Sequence, residues 1–474
     1  MHLLYKTILR SENVSHNQFF IAFSINPLTM TFSNLKDHIK DIENVFDLLR
    51  DKMKDFKTQP IDFQEDLSRE NDLLKEIENL KNQLLTNKKE NVPILDYNTR
   101  QNEEVMILKE KHKQEMLQYE YQLLTYKNKI KDLNEVIKAF KKEIMDLKGG
   151  IRVFCRLKPL LYDLPCDLLI DDSSIRLKKE NKENSFNFDK VFDGRTSQQE
   201  VYKEIEGIVE SIFEGYKACL FAYGQTGSGK TYTIIGDKDN PGILNRAFEN
   251  ITKINKEYKE DGWKIDMKIS CIEIYNEEIF DLLGDQKNKI NIIHSEGATI
   301  LQNCTEINVK EKDLESVVNQ GVIKRKLGST MSNSQSSRSH TIFILNLKLE
   351  KEGEVRMCSL CLVDLAGSER LDKSKSEGKR LKETQNINRS LSCLGDVFMA
   401  ILNKDSYIPF RNSKLTHFLQ DYLSGESRVS IVLNISQEEK HYHETLCTLR
   451  FGSKVSECKL GKVTRNILKQ SYKK

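Results

Sequence analysis

No stretch of the chain reaches roughly 18 consecutive apolar residues, so none can span a membrane as a helix. The start, Met1 to Arg10, is apolar in places. It lacks a sustained apolar core and a small-residue cleavage site, which argues against a secretory signal. Charge of one sign is lacking too: 74 Lys and Arg face 71 Asp and Glu, a formal net charge of +3. Bulk charge therefore does not imply a nucleic-acid partner. Residues 1–148 contain no Cys and no Gly, whereas all 10 Cys lie between Cys155 and Cys458. Gly149 and Gly150 mark the same boundary. The sequence divides there into an elongated, charged N-terminal region and a C-terminal domain of about 320 residues.

The N-terminal region has the pattern of a rod. Met116, Leu123, Ile130, Ile137 and Ile144 recur at heptad spacing, and Tyr119, Tyr126, Leu133, Phe140 and Leu147 recur between them. With Lys, Glu and Asp elsewhere, this a/d seam predicts a coiled-coil neck or stalk over residues 104–148. Its uninterrupted heptads would run about 50 Å, and β-branched residues at a favour a parallel two-stranded coil. Leu73, Ile77, Leu80 and Leu84 repeat the spacing, as do Leu35, Ile39, Ile42, Phe46, Leu49, Met53 and Phe56. Pro60 and Pro93 interrupt these blocks, so residues 32–103 are expected to form a broken helical tail. Residues 1–31 show no usable period and stay unassigned.

The chemistry begins at Gly224-Gln225-Thr226-Gly227-Ser228-Gly229-Lys230-Thr231, a complete G-x-x-x-x-G-K-[ST] phosphate loop. The glycines let the backbone fold tightly, so that its N–H groups point at phosphate oxygens. Lys230 can reach the β- and γ-phosphates, and Thr231 can offer its hydroxyl to Mg²⁺. Residues 218–223 read as a buried parallel strand. The residues after Thr231 read as the opening of a helix whose N-terminus favours an anion.

Residues 265–275 and 340–350 alternate apolar and polar, as strands with one buried face do. Residues 357–363 and 429–435 read as fully buried central strands, separated by helical patterns at 200–216 and 381–402. The expected fold is α/β, a phosphate-loop NTPase with a central mixed sheet flanked by helices. Asp364-Leu-Ala-Gly-Ser-Glu369 follows one buried strand. An acid there suits contact with Mg²⁺ through water, and Gly367 can bring a backbone N–H to a γ-phosphate. In Asn333-Ser-Gln-Ser-Ser-Arg-Ser-His340, Ser337 could hold Mg²⁺ and Ser336 could orient water. Arg338 could pair with Glu369 to close a gate between the two loops. Cys358 and Cys361 form a C-x-x-C, but strand alternation points their thiols to opposite faces, which favours packing over metal or redox work. Scattered Cys beside a nucleotide site argue for reduced thiols. His441, His443 and Cys447 have loose metal-like spacing without a second cluster, so surface or core roles are preferred.

Over residues 149–460 the chain resembles the kinesin motor domain, specifically the kinesin-14 type with a C-terminal motor. The resemblance rests on Ile151-Arg-Val-Phe-Cys-Arg156, Tyr223–Thr233, Ser336–His340 and Leu362–Arg370. It extends through Asn386-Ile-Asn-Arg-Ser-Leu-Ser392, Pro409-Phe-Arg-Asn-Ser-Lys-Leu-Thr416 and Glu444-Thr-Leu-Cys-Thr-Leu-Arg-Phe451. It implies a microtubule-stimulated ATPase that uses ATP and Mg²⁺. Arg156 and Pro159 would flank adenine, with Tyr232 on the base. Thr231 and Ser337 would coordinate Mg²⁺, and Asp364 would reach it through water. Gly367 would sense the γ-phosphate, Arg338 and Glu369 would form the gate, and Asn333 and Asn388 would relay nucleotide state. Microtubules would be gripped by Lys373, Lys375, Lys379, Arg380, Lys382, Arg411 and Lys414, a basic strip facing acidic tubulin. The resemblance further implies a homodimer or heterodimer through the coiled coil, without membrane or nucleic-acid partners. It implies minus-end direction and a place on the cytoplasmic cytoskeleton, including the spindle.

Some positions depart from the family. Lys158 replaces the second Arg of the R-x-R-P adenine motif, keeping charge and losing planar stacking. Gly150 stands where the family usually carries Asn, the residue tied to minus-end direction. Residues 461–474 form a short basic tail. Three other readings compete. Leu423-Ser424-Gly425-Glu426 resembles the start of the signature of chromosome-organising coiled-coil ATPases, without its second Gly and Gln. A GTPase lacks support because no N-K-x-D guanine motif occurs. A catalytically silent kinesin-like partner would have lost loop residues, whereas Lys230, Arg338 and Glu369 all remain.

Overall fold

The computed structural model describes residues 94–469 except 148, 161–165, 181, 285–288, 296–297, 311–313, 332–334, 370–378, 459 and 461–462. The chain separates into two compact units, Met1–Ile144 and Met145–Lys474. The expectations for residues 1–93 lie outside the described residues.

Helix α1 spans Ile94–Leu147, 54 residues without a break. At 1.5 Å per residue it is about 80 Å long. It begins ten residues earlier than the expected rod (104 − 94 = 10), directly after Pro93. A proline preceding the first helical residue removes no interior hydrogen bond, so it need not interrupt the seam downstream. Met116, Tyr119 and Tyr126 of that seam are 48%, 48% and 50% exposed.

The second unit is built on a ten-stranded sheet. Its strands are β1 (Ile151–Leu157), β5 (Lys190–Phe192), β6 (Lys217–Tyr223), β7 (Lys264–Tyr275) and β8 (Glu278–Asp281). β11 (Ile307–Asn308), β12 (His340–Lys351), β13 (Glu354–Asp364), β14 (Arg428–Ile435) and β15 (Ile467–Lys469) complete it. The order is β11-β7-β12-β13-β6-β14-β1-β5, with β8 on β7 and β15 on β13. The half from β13 to β5 is parallel and the half from β11 to β13 antiparallel, so the sheet is mixed. A meander of β2 (Asp167–Ile170), β3 (Ser174–Lys179) and β4 (Lys182–Asn187) and a hairpin of β9 (Asn291–Ser295) and β10 (Ala298–Gln302) stand apart.

Helices cover both faces. On one side α2 (Gln198–Ser211), α4 (Ile243–Glu260) and α5 (Leu314–Met331) bury Ile205, Phe248 and Val317 against Phe154 and Leu220. On the other α7 (Lys379–Asn403), α8 (Lys414–Leu423) and α9 (Tyr442–Ser456) bury Phe398, Phe418 and Leu449 against Val153 and Phe221. Each fully buried Phe contributes about 1.5–3 kcal/mol. Double coverage explains a departure from the sequence expectation. β12 is buried continuously over His340–Leu345 and alternates only after Asn346. β7 alternates over Lys264–Ile269 and is then buried through Ile274. The buried halves pair with each other, so the one-sided alternation marks the sheet end that helices leave open. Cys358 and Cys361 fall in the opposite hydrophobic clusters, as alternation requires.

The helix after the phosphate loop is split. α3 (Lys230–Ile234) stops, Gly236 and Pro241 form an isolated bridge, and α4 starts at Ile243. The chain's single Trp, Trp263, lies under Arg356, whose Cζ is 4.2 Å from the ring. Arg356 also donates to the Phe213 carbonyl at 2.8 Å, and its residue pairs with Ile467 of β15.

Candidate functional site

Three parallel strands end together. Asp364 is in register with Ala222, and Leu433 with Tyr223. In open α/β sheets the crevice beyond such carboxyl ends is where ligands bind. The phosphate loop leaves β6 there. Gly224, Gly227 and Gly229 have φ of 149°, 77° and 103°. A Cβ on Gly224 would also run into the Asn434 carbonyl. Lys230 opens α3 and is 7% exposed. Its Nζ donates to the Gly224 and Gln225 carbonyls at 2.8 and 2.9 Å. Burial pushes this ammonium below its ordinary pKa, and Asp364 and Glu369 oppose the shift. The Ser228 hydroxyl ties the loop to the Gln225 carbonyl at 2.8 Å.

Asp364 is completely buried. Its Oδ2 accepts from the Thr231 hydroxyl at 2.7 Å and from Arg325 Nη1 at 2.5 Å. Its Oδ1 has no hydrogen-bond partner among the described residues. A hydroxyl and a carboxylate side by side, with one carboxylate oxygen unspent, suit a hard divalent cation that takes oxygen ligands. Arg325 was not foreseen. It sits inside α5 without a motif around it, and only the folded chain brings it 39 residues back onto Asp364.

Two loops meet the phosphate loop. The Gly367 N–H donates to the Ser337 carbonyl at 2.9 Å, and the Ser368 N–H to the Gly224 carbonyl at 3.1 Å. The Glu369 carboxylate accepts from the Thr226 N–H at 2.7 Å and from the Thr226 hydroxyl. A Cβ on Gly367 would collide with that hydroxyl and that carboxylate. Ser336, Ser337 and Arg338 lie in the short helix α6 (Gln335–Arg338), and Ser337 and Arg338 are half-buried. Asn333 lies outside the described residues.

His340 carries this junction further, a role with no local signal in its neighbours. Its Nδ1 accepts from the Ala366 N–H at 3.1 Å, and its Nε2 is 2.8 Å from the Ser390 hydroxyl. Ser390 donates in turn to the Ile387 carbonyl at 2.7 Å. The ring is therefore neutral with its proton on Nε2. Complete burial pushes its pKa down to about 3, against the attraction of Asp364. The imidazole connects the loop after β13 to α7, where Asn388 is half-buried.

The adenine candidates gather at another corner. Arg156 is buried, and its Nη1 donates to Gln198 Oε1 at 2.7 Å and Thr233 Oγ1 at 3.0 Å. Its Cζ lies 5.3 Å from the Tyr232 ring, which stays 40% exposed. Burial lowers the Arg156 pKa, and Tyr232 opposes this. Pro159 is exposed against Gly194, where a Cβ would meet the Pro159 Cα at 2.9 Å. Of the basic strip, Lys379, Arg380 and Lys382 fall on α7, Arg411 is exposed, and Lys414 opens α8 half-buried. Lys373 and Lys375 lie outside the described residues.

A family model described as the kinesin motor domain matches residues 167–458. The chain belongs to the kinesin family. It is 40% identical over 379 residues to kinesin-like protein KIN-14N of Oryza sativa subsp. japonica, covering 76% of this chain and 50% of that protein. Kinesin-like protein KAR3 of Saccharomyces cerevisiae is 35% identical over 503 residues, covering 92% of this chain and 68% of the yeast kinesin. Among solved kinesin structures, the C-terminal motor and motor homology domain of Kar3Vik1, fused to a synthetic heterodimeric coiled coil, is 37% identical with a TM-score of 0.63. That match covers 75% of this chain and 99% of the other. The chain spans about half the length of the rice kinesin.

Proposed function

We propose that the chain is an ATP-hydrolysing microtubule motor of the kinesin-14 type, dimeric through residues 104–148. The observation that carries this reading is the junction of three loops, where Gly367 meets Ser337, Glu369 meets Thr226 and Asp364 meets Thr231. Residues 224–231 hold the phosphates, and Thr231 and Ser337 hold Mg²⁺ with Asp364 behind them. Bound Mg·ATP supplies the γ-phosphoryl group that is transferred to water. Ser336 orients that water, and Arg338 and Glu369 close the gate around it. Tyr232 stacks on adenine, with Arg156 fixed against its ring and Pro159 at the rim.

Nucleotide state reaches the track through Gly367, His340, Ser390 and Asn388 on α7. The strip from Lys373 to Lys382, with Arg411 and Lys414, meets the acidic microtubule surface by salt-sensitive attraction. The half-exposed seam of Met116, Tyr119 and Tyr126 supports a second helix alongside α1, from an identical or a related chain. The kinesin-14 relatives favour minus-end direction and a cytoskeletal place. In this reading the motor works in spindle organisation, and α1 swings as the lever.

Glu369→Ala should abolish microtubule-stimulated ATP turnover; unchanged turnover would remove Glu369 from the gate. On polarity-marked microtubules, a surface-bound minus-end motor drives filaments plus end first, so gliding led by minus ends contradicts the direction. DNA-stimulated and tubulin-insensitive turnover would favour a chromosome-organising ATPase. No turnover at all would favour a silent partner.

A further inference from the structure

The turn between β7 and β8 is a two-residue hairpin loop, because Tyr275 pairs directly with Glu278. Both loop residues are left-handed: Asn276 has φ of 53° and Glu277 φ of 62°. This is the type I′ geometry, for which an Asn-Gly pair is the preferred sequence. Asn fits its place. Glu does not, because a side chain with a Cβ is disfavoured there and lacks the short polar group that eases Asn into the same region. Backbone strain of this kind persists where surrounding structure holds it and points to a use for the residue.

The use is visible at the carboxylate. Glu277 Oε2 accepts the backbone N–H of Lys414 at 2.8 Å. Lys414 is the first residue of the ten-residue helix α8, whose N-cap is Ser413. An anion at that end is favoured both by the free N–H and by the helix dipole. The neighbouring loop residue is engaged as well. Asn276 Oδ1 accepts from Asn386 Nδ2, on helix α7. Two adjacent residues thus tie two helices to one strand end. That end is also where the loops of the nucleotide site start, since Ile274 is in register with His340, and Thr341 with Asp364.

We propose that Glu277 is a positioning residue for microtubule-stimulated ATP hydrolysis. Its carboxylate fixes the start of α8, and Asn276 fixes α7, so both helices keep one register relative to the sheet end that senses nucleotide. The proposal rests on α7 and α8 forming the track face.

The test uses the full chain and measures ATPase rate against microtubule concentration, with melting temperature alongside. Glu277→Gly restores the preferred turn sequence and removes the carboxylate. A purely structural Glu277 predicts unchanged microtubule dependence for this variant. The positioning role predicts an undiminished melting temperature and basal turnover. It also predicts a microtubule KM raised about fivefold or more, as loss of a hydrogen bond to a charged group implies. Glu277→Gln keeps an acceptor oxygen and should fall between Glu277→Gly and the native chain. A native microtubule KM and stimulated rate in Glu277→Gly overturns the proposal. So does a parallel fall of basal and stimulated turnover. If the native chain itself shows no microtubule stimulation, the functional reading fails and takes this role with it.

Discussion

The nucleotide corner and the α7–α8 surface work by opposite physics. At the corner, Lys230, Arg325, Asp364 and His340 are each less than a tenth exposed, and hydrogen bonds of 2.5–3.1 Å join them to their neighbours. Contacts there act at short range in a low dielectric, and a lost partner leaves a charge that water cannot reach. On the surface, Arg411 is exposed and its attraction to a partner is screened by salt. One side of this domain therefore fails abruptly and the other fades gradually.

Arg325 is the sharpest place to break that contrast. Arg325→Met leaves the Asp364 carboxylate buried without its cation and should lower stability by about 3–5 kcal/mol. Urea unfolding measures this, and adding Asp364→Asn should recover part of the loss. A change within experimental scatter for Arg325→Met would mean that Asp364 is relieved in some other way. Acid provides the next largest effect. The folded chain keeps His340 neutral with a pKa near 3, whereas an unfolded imidazole protonates near 6.5. Its contribution is therefore complete above 6.5 and is lost as pH falls towards 3. The slope is at most about 1.4 kcal/mol per pH unit. His340→Asn should flatten the stability curve across that window, and parallel curves for the two proteins would contradict it. Arg411→Ala is expected to have the smallest effect. It should weaken microtubule binding about twofold at low salt and less as salt rises. A loss that persists undiminished at high salt would move Arg411 into the buried class.

The parts of the fold carried by local pattern were legible beforehand. The phosphate loop, the strand leading into it, the buried strands ending at Asp364 and Ile435, and the helical period of residues 104–147 all announce themselves within a few neighbouring residues. Legibility ended where distance along the chain took over. Arg325 and His340 have unremarkable neighbours, and their roles exist only because α5 and β12 are folded against β13 and α7. The alternation of β7 and β12 misled in half of each strand, because the pattern cannot say where a helix covers the polar face. The split after α3 has a local cause: Gly236, Pro241 and Gly242 are turn formers that end the helix opened at Lys230.

Trp263 gives the molecule a built-in optical probe. As the chain's single indole, lying beneath the guanidinium of Arg356, it emits from one defined environment. The same Arg356 belongs to the edge that β15 occupies, opposite Ile467. Tryptophan emission of the unlabelled chain therefore reports from a single address, beside the end of β13 on which β15 pairs, without an attached dye.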